Sequence, residues 1–315
     1  MRQHVLIVDD QCERLRAPLA AEFPDVAFDG VLSPADAVPF CAQATAIISL
    51  AHTISAEMIA AATKLRWIGA ITTGTDHLRT LAIPEDVVFT SARGISAAPV
   101  SEFVMMAMLA FVKRLPFMLA NQRKNRWTHT RGNTLTGRTV TIVGAGAISE
   151  TLAMRAAAFG MRVIGVSAGR SEVAGFEAIF PRERLAEAAA RADFLVVLVP
   201  QSEATRNLID ARVLAAMKPG AFLINVARGG VIDSDALLAA LRAGRLAGAA
   251  LDVFAPEPMP ADSPFWALEN VIVSPHAAGD AWEIYDLVLP LLRTNLQAIC
   301  DDRPDHLLNV VPRKA

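Results

Sequence analysis

Residues 139–149 read TVTIVGAGAIS, an apolar β-rich run that breaks into Gly144-Ala145-Gly146-Ala147-Ile148-Ser149 and leads into a helical pattern, Glu150–Phe159. A glycine-rich turn is informative in this setting, between a strand and a helix. The first glycine permits the tight turn, and the second lets the backbone approach a pyrophosphate. The N–H groups and dipole of the helix start then hold the anion. Ser149 stands where a third glycine is usual. It is small enough for close helix–strand packing but leaves the motif incomplete. Gly144, Ala145, Gly146, Ala147 and Ile148 are therefore candidate cofactor-binding residues.

Working outward, short β-rich runs alternate with longer helical stretches, the pattern of parallel sheets built from βαβ units. Downstream of Thr139–Val143 come Arg162–Val166, Phe194–Val199, Ala221–Val226, Gly248–Val253 and Val271–Ser274, which with it make six strand candidates in a row. Upstream, Val5–Val8, Ala46–Leu50, Trp67–Ile71 and Val87–Thr90 form a first set, with a helical pattern at Ala56–Ala62. Pro99–Leu115 reads as one long apolar helix, and Asn121–Asn133 as a polar, Arg-rich connector. The opening VLIVDDQ has the look of a response-regulator receiver. AIISLAHT, however, lacks the phosphate-accepting Asp that such a domain needs, so Asp9 and Asp10 read as a polar strand end.

Composition narrows the class. A chain of 315 residues favours two domains, and 53% hydrophobic residues can fill two cores. Its 30 basic and 32 acidic residues leave a formal charge of −2. No broad positive field is available for nucleic acid or an anionic membrane. Cys12, Cys41 and Cys300 are scattered, which argues against a disulfide scaffold or a structural zinc site. The N-terminus lacks a signal-peptide pattern, and Val104–Val112 is too short an apolar run to span a bilayer. A cytoplasmic location is the expectation.

The second strand of the later set ends in Ser167-Ala168-Gly169-Arg170-Ser171. Ser167 lies about where an NAD enzyme places an acid for the ribose hydroxyls. A serine there removes the repulsion of a 2′-phosphate, and Arg170 can pair with that phosphate. NADP(H) is thus favoured over NAD(H), which stays possible.

Three chemically apt groups follow successive strands. Arg228 lies in Ile224-Asn225-Val226-Ala227-Arg228-Gly229-Gly230, Glu257 in Leu251-Asp252-Val253-Phe254-Ala255-Pro256-Glu257-Pro258, and His276 in Val271-Ile272-Val273-Ser274-Pro275-His276-Ala277-Ala278-Gly279. In an open α/β sheet the carboxyl ends of the strands face one crevice, so these groups can converge beside a cofactor. Arg228 can grip a carboxylate in a two-pronged bond and polarise the adjacent carbonyl. His276 can give a proton to that oxygen or take one from it. Glu257 can hydrogen-bond the imidazole, fix its tautomer and favour its protonated form.

At these residues the sequence resembles the D-2-hydroxyacid dehydrogenase family. Leu135-Thr136-Gly137-Arg138, Leu198-Val199-Pro200 with Thr205 and Leu208, and the stretch from Met217-Lys218-Pro219-Gly220 to Gly279 also carry the likeness. The resemblance implies that Arg228, Glu257 and His276 are catalytic. It implies that Asp252 contacts the nicotinamide carboxamide, and that the cofactor site extends to Pro200, Thr205, Val226, Ala227 and Gly279. Thr73-Gly74-Thr75 matches the loop whose backbone amides grip the substrate carboxylate, beside Arg228 and His276. The fold implied is α/β with two doubly wound parallel-sheet domains. A Rossmann nucleotide-binding domain (residues 99–282) is inserted into a flavodoxin-like substrate domain (residues 1–98 plus 283–315), with a returning helix at Glu283–Cys300 and substrate in the cleft. A homodimer paired through the nucleotide domain is implied too.

Within the family, Glu257 disfavours formate dehydrogenase-like chemistry, which takes glutamine there. Thr72, Thr73 and Gly74 replace the lysine expected of phosphite dehydrogenase-like chemistry. A phosphoglycerate dehydrogenase with a regulatory domain is disfavoured by the short sequence after the returning helix. Reduction of glyoxylate, hydroxypyruvate or a related 2-oxo acid is the expectation, with a nucleotide-sensing, corepressor-like protein as the alternative. Trp282 and His77 are further candidates for the cleft border.

Overall fold

The computed structural model describes residues 3–312, which divide into two compact units, residues 3–96 with 281–312 and residues 97–280. The first unit holds a five-stranded sheet of β1 (His4–Val8), β2 (Ala27–Val31), β3 (Ala46–Ser49), β4 (Trp67–Ala70) and β5 (Val88–Ser91). Its order is β2-β1-β3-β4-β5, parallel throughout, the flavodoxin-like arrangement. Period-2 alternation fills both faces. Leu6, Val8, Ile47 and Ile68 enter one core, while Val5, Ile7, Ile48 and Trp67 enter another, which the helix Ile284–Cys300 completes with Val288, Leu292 and Leu296.

The second unit holds seven parallel strands: β6 (Thr139–Val143), β7 (Arg162–Ser167), β8 (Ala178–Pro181), β9 (Phe194–Val197), β10 (Phe222–Asn225), β11 (Gly248–Leu251) and β12 (Val271–Val273). The order β12-β11-β10-β9-β6-β7-β8 is that of a Rossmann sheet with one strand added. Val140, Ile142, Phe194 and Val196 face one core, and Val143, Leu195 and Val197 the other.

Two strands have no counterpart in the sequence reading. β2 and β8 are both sheet edges, and neither is continuously apolar: AFDGV carries Asp29 and Gly30, while AIFP is four residues ending in proline. Proline is tolerated there because an edge strand has ladder positions to spare. The helix expected at Pro99–Leu115 runs Ala97–Val112, and a second helix that the sequence reading did not place, Leu115–Gln122, follows it. Arg114 turns left-handed between them (φ 58°), and Pro116, which disfavours a helical residue before it, sits at the new start. Among the described residues no single helix is long and apolar enough to cross a membrane.

Asp9 closes β1 and is 5% exposed, its Oδ1 accepting the Tyr285 hydroxyl and the Gln11 N–H, each at 2.8 Å. Burial pushes its carboxyl pKa up against the pull of those hydrogen bonds.

Candidate active site

The carboxyl edge of the seven-stranded sheet carries the nucleotide-unit candidates in one row. In sheet order they are His276 after β12, Asp252 after β11, Arg228 after β10, Pro200 after β9, Gly144–Gly146 after β6, and Ser167 ending β7. Strands are added to one side of β6 and then, from β9, to the other. Such a switch point is where open α/β sheets bind ligands.

The turn after β6 fits a dinucleotide pyrophosphate. Gly144 has φ 118°, and a Cβ there would stand 2.9 Å from Leu198 O. Gly146 has nothing within 4 Å of its Cβ position, leaving its backbone open to a ligand. The helix beginning at Ala147 leaves the N–H groups of its first turn, Ile148 among them, without intrahelical acceptors. Ser149 is 1% exposed, packed where the missing third glycine would lie. A pocket of about 300 Å³ opens over this turn, lined by Gly144, Ala145, Gly146, Ser167, Arg182 and Pro200 among others. Thr205 is buried and does not line it. Its hydroxyl donates to Pro200 O at 2.7 Å and so shapes that loop. Val226 and Gly279 are half-buried and Ala227 buried, all at the same sheet edge.

Beyond β7, Ser167 Oγ accepts the N–H groups of Gly169 (3.2 Å) and Arg170 (3.0 Å). Arg170 Nη1 donates to Ala145 O at 2.9 Å and to the Glu150 carboxylate. The sequence has no acid at the Ser167 position itself, yet the helix after the glycine turn brings one to Arg170. Glu150 gave no signal because its partner lies twenty residues on, across a strand.

At the opposite end, Glu257 Oε2 meets His276 Nδ1 at 2.8 Å, and its Oε1 accepts the Phe254 N–H at 2.8 Å. Bonding through Nδ1 fixes the tautomer and leaves Nε2 as the ring nitrogen for chemistry. The pair is well exposed, 46% for the His side chain and 36% for the Glu. His276 is left-handed (φ 57°), and its N–H donates to Asp252 O at 2.7 Å. Asp252, 2% exposed, also takes the N–H groups of Ala277 (2.8 Å) and Ala278 (3.1 Å) and the Ser274 hydroxyl. Its carboxylate thus holds the loop that presents the imidazole.

Arg228 is half-buried, with Nη1 donating to Ala227 O at 2.6 Å. Asn225, 1% exposed, braces this segment, its amide donating to Arg228 O (3.1 Å) and its carbonyl accepting the Ala227 N–H (3.1 Å). Gly229 lets the Arg228 and Glu257 segments meet, since a Cβ there would lie 2.0 Å from the Phe254 carbonyl carbon. Gly229→Ala is expected to destabilise the fold by on the order of 1–3 kcal/mol or more through overpacking. It should also remove activity, because Phe254 carries the N–H that anchors Glu257. Thermal melting and turnover check this; parental values for both would show that the loop yields freely.

In the first unit, Thr73-Gly74-Thr75 follows β4. Thr73 Oγ1 donates to Ala92 O and meets Ser96 Oγ, each at 3.2 Å, and Thr72 Oγ1 donates to Gly74 O at 3.0 Å. No acceptor among the described residues takes the N–H of Thr73, Gly74 or Thr75. His77 Nε2 bonds Ile54 O at 2.9 Å, and Trp282 is 71% exposed.

Two family models match the chain: "D-isomer specific 2-hydroxyacid dehydrogenase, catalytic domain" over residues 5–169, and the NAD binding domain of the same family over residues 105–278. The chain belongs to the D-isomer-specific 2-hydroxyacid dehydrogenase family. It is 36% identical to D-3-phosphoglycerate dehydrogenase of Mycobacterium tuberculosis over 254 residues, 76% of this chain and 46% of that protein. It thus spans about half the length of that relative. With glyoxylate reductase of Korarchaeum cryptofilum it shares 34% identity over 277 residues, 84% of this chain and 82% of the relative. The crystal structure of an NADPH-dependent glyoxylate/hydroxypyruvate reductase from Sinorhizobium meliloti, in complex with NADP and sulfate, superposes with a TM-score of 0.85 at 26% identity. That match covers 99% of this chain and 98% of that one.

Proposed function

We propose that the chain is an NAD(P)H-dependent reductase of small 2-oxo acids of the glyoxylate/hydroxypyruvate class, yielding the D-2-hydroxy acid. The observation that carries this reading is the His276–Glu257 pair, held at a strand end by Asp252 on the same sheet edge as Arg228. The dinucleotide supplies the hydride. Arg228 holds the carboxylate and polarises the carbonyl oxygen. His276 delivers a proton to that oxygen from Nε2, while Glu257 orients the ring through Nδ1. The N–H groups of Thr73, Gly74 and Thr75, which have no acceptor among the described residues, bind a carboxylate. Asp252 positions the His276 loop in addition to the nicotinamide contact that the family resemblance implies. Names of the relatives support the substrate class, glyoxylate for one and glyoxylate/hydroxypyruvate for another.

NADP(H) is the preferred cofactor in this proposal, supported by Ser167, which ends β7 where an acid would repel a 2′-phosphate. A homodimer is part of the proposal, supported by exposed apolar side chains on the helices of the second unit: Met106, Leu115, Met118 and Leu119 at 42–48% exposure. The test is nicotinamide absorbance with glyoxylate, hydroxypyruvate and pyruvate, each with NADPH and NADH. Steady turnover is expected; dinucleotide binding without turnover on that panel would replace the enzyme by a sensor.

Ser167→Asp is expected to move preference towards NADH. The new carboxylate repels a 2′-phosphate and bonds the ribose hydroxyls. The ratio of kcat/KM for the two cofactors should change by on the order of 10-fold or more, the worth of a charge-assisted hydrogen bond. A ratio equal to the parent's would separate Ser167 from cofactor choice.

A further inference from the structure

β8 brings to the adenosine side of the pocket a cation that no motif marks. The register of β7 and β8 pairs Ser167 with Pro181, so Arg182 emerges beside the Ala168–Gly169 loop. Arg182 lines the pocket together with Ser167, Ala168 and Gly169 on one side and Gly144–Gly146 on the other. Its guanidinium makes one long hydrogen bond, Nη1 to Ala204 O at 3.4 Å, and among the described residues it has no ion-pair partner. Arg170 differs on each point. It is absent from the pocket lining, and its charge is already met by Glu150 and by Ala145 O.

We propose that Arg182 is the specificity-determining cation for a 2′-phosphate on the cofactor's adenosine, and that the Arg170–Glu150 pair serves to fix the loop. This rests on the NADP(H) reading above. A half-buried guanidinium retains a planar fork of donors matched to phosphate oxygens. Ser167 completes the site. Its Oγ already accepts two backbone N–H groups, which leaves the hydroxyl proton free to donate to a phosphate oxygen. The dinucleotide's pyrophosphate, at the glycine turn, lies on the far side of Ser167 from Arg182 in the sheet order β6-β7-β8. A cation beyond β7 is therefore placed for the ribose rather than for the bridge.

The test is calorimetric titration of the parent, Arg182→Ala, Arg182→Lys and Arg170→Ala with adenosine 2′,5′-bisphosphate and with 5′-AMP, neither of which requires turnover. The parent should bind the bisphosphate more tightly. Arg182→Ala should weaken it by on the order of 10- to 100-fold while leaving 5′-AMP as in the parent. Arg182→Lys, which keeps the charge but loses the fork, should fall between. Arg170→Ala should weaken both ligands together, since it loosens the loop beside the glycine turn. Thermal melting of each variant shows that it is folded. If the parent discriminates and Arg182→Ala still does, or if that variant loses both ligands equally, the assignment of Arg182 is overturned while the NADP(H) preference stands. A parent that binds the two ligands alike overturns the preference, and this inference with it.

Discussion

His276→Ala is expected to lower kcat by about 10²- to 10⁴-fold, the usual contribution of a positioned acid–base group. Dinucleotide affinity should hardly change. The imidazole is exposed, its Nδ1 is committed to Glu257, and the glycine turn that would receive the pyrophosphate lies four strands away in the sheet. The backbone adds a complication, because residue 276 is left-handed and alanine pays roughly 1–2 kcal/mol there. His276→Asn is therefore the companion variant, since asparagine tolerates that conformation. Both should lose turnover alike, although only alanine should lower the melting temperature. Turnover within a few-fold of the parent across the pH range, in either variant, would remove His276 as proton donor.

Arg228→Lys is expected to be as severe, despite conserving charge. The backbone of residue 228 is braced by Asn225 and closely packed at Gly229, so its side chain projects from a fixed origin. A lysine ammonium at that origin is a point charge. It cannot hold a carboxylate by two parallel bonds and also polarise the neighbouring carbonyl. Misplacing a substrate by about 1 Å can cost on the order of 10²-fold, and both kcat and apparent substrate affinity should fall. An unchanged kcat/KM on the best 2-oxo acid would take Arg228 out of the reaction.

Much of the nucleotide unit is legible in its sequence because central parallel strands are buried on both faces. FLVV, FLI and GAAL are continuous apolar runs leading to the residues that carry the candidate chemistry. Edges are the opposite case. β8 is buried on neither face in full, so its four residues give no periodic signal, and Arg182 passes unnoticed with it. Glu150 was hidden differently. It reads as an ordinary first-turn acid on a helix, and only the folded return of β7 brings Arg170 to it. Asp252 shows a third limit. Spacing marks it as part of a motif, but spacing does not show that its side chain is sealed away and bonded to the loop of His276.

The row of residues along the seven-stranded sheet has a consequence for how such a molecule can be altered. From β7, which ends in Ser167, to β12, which leads into His276, the order crosses five inter-strand gaps of about 4.8 Å, roughly 24 Å in all. Groups so far apart, with no shared partner, act on free energy nearly independently. Under the function proposed above, the choice of reductant and the chemistry performed with it are therefore two separate dials on one scaffold. A change that retunes the pool of electrons the protein draws upon need not disturb the hand that passes the proton.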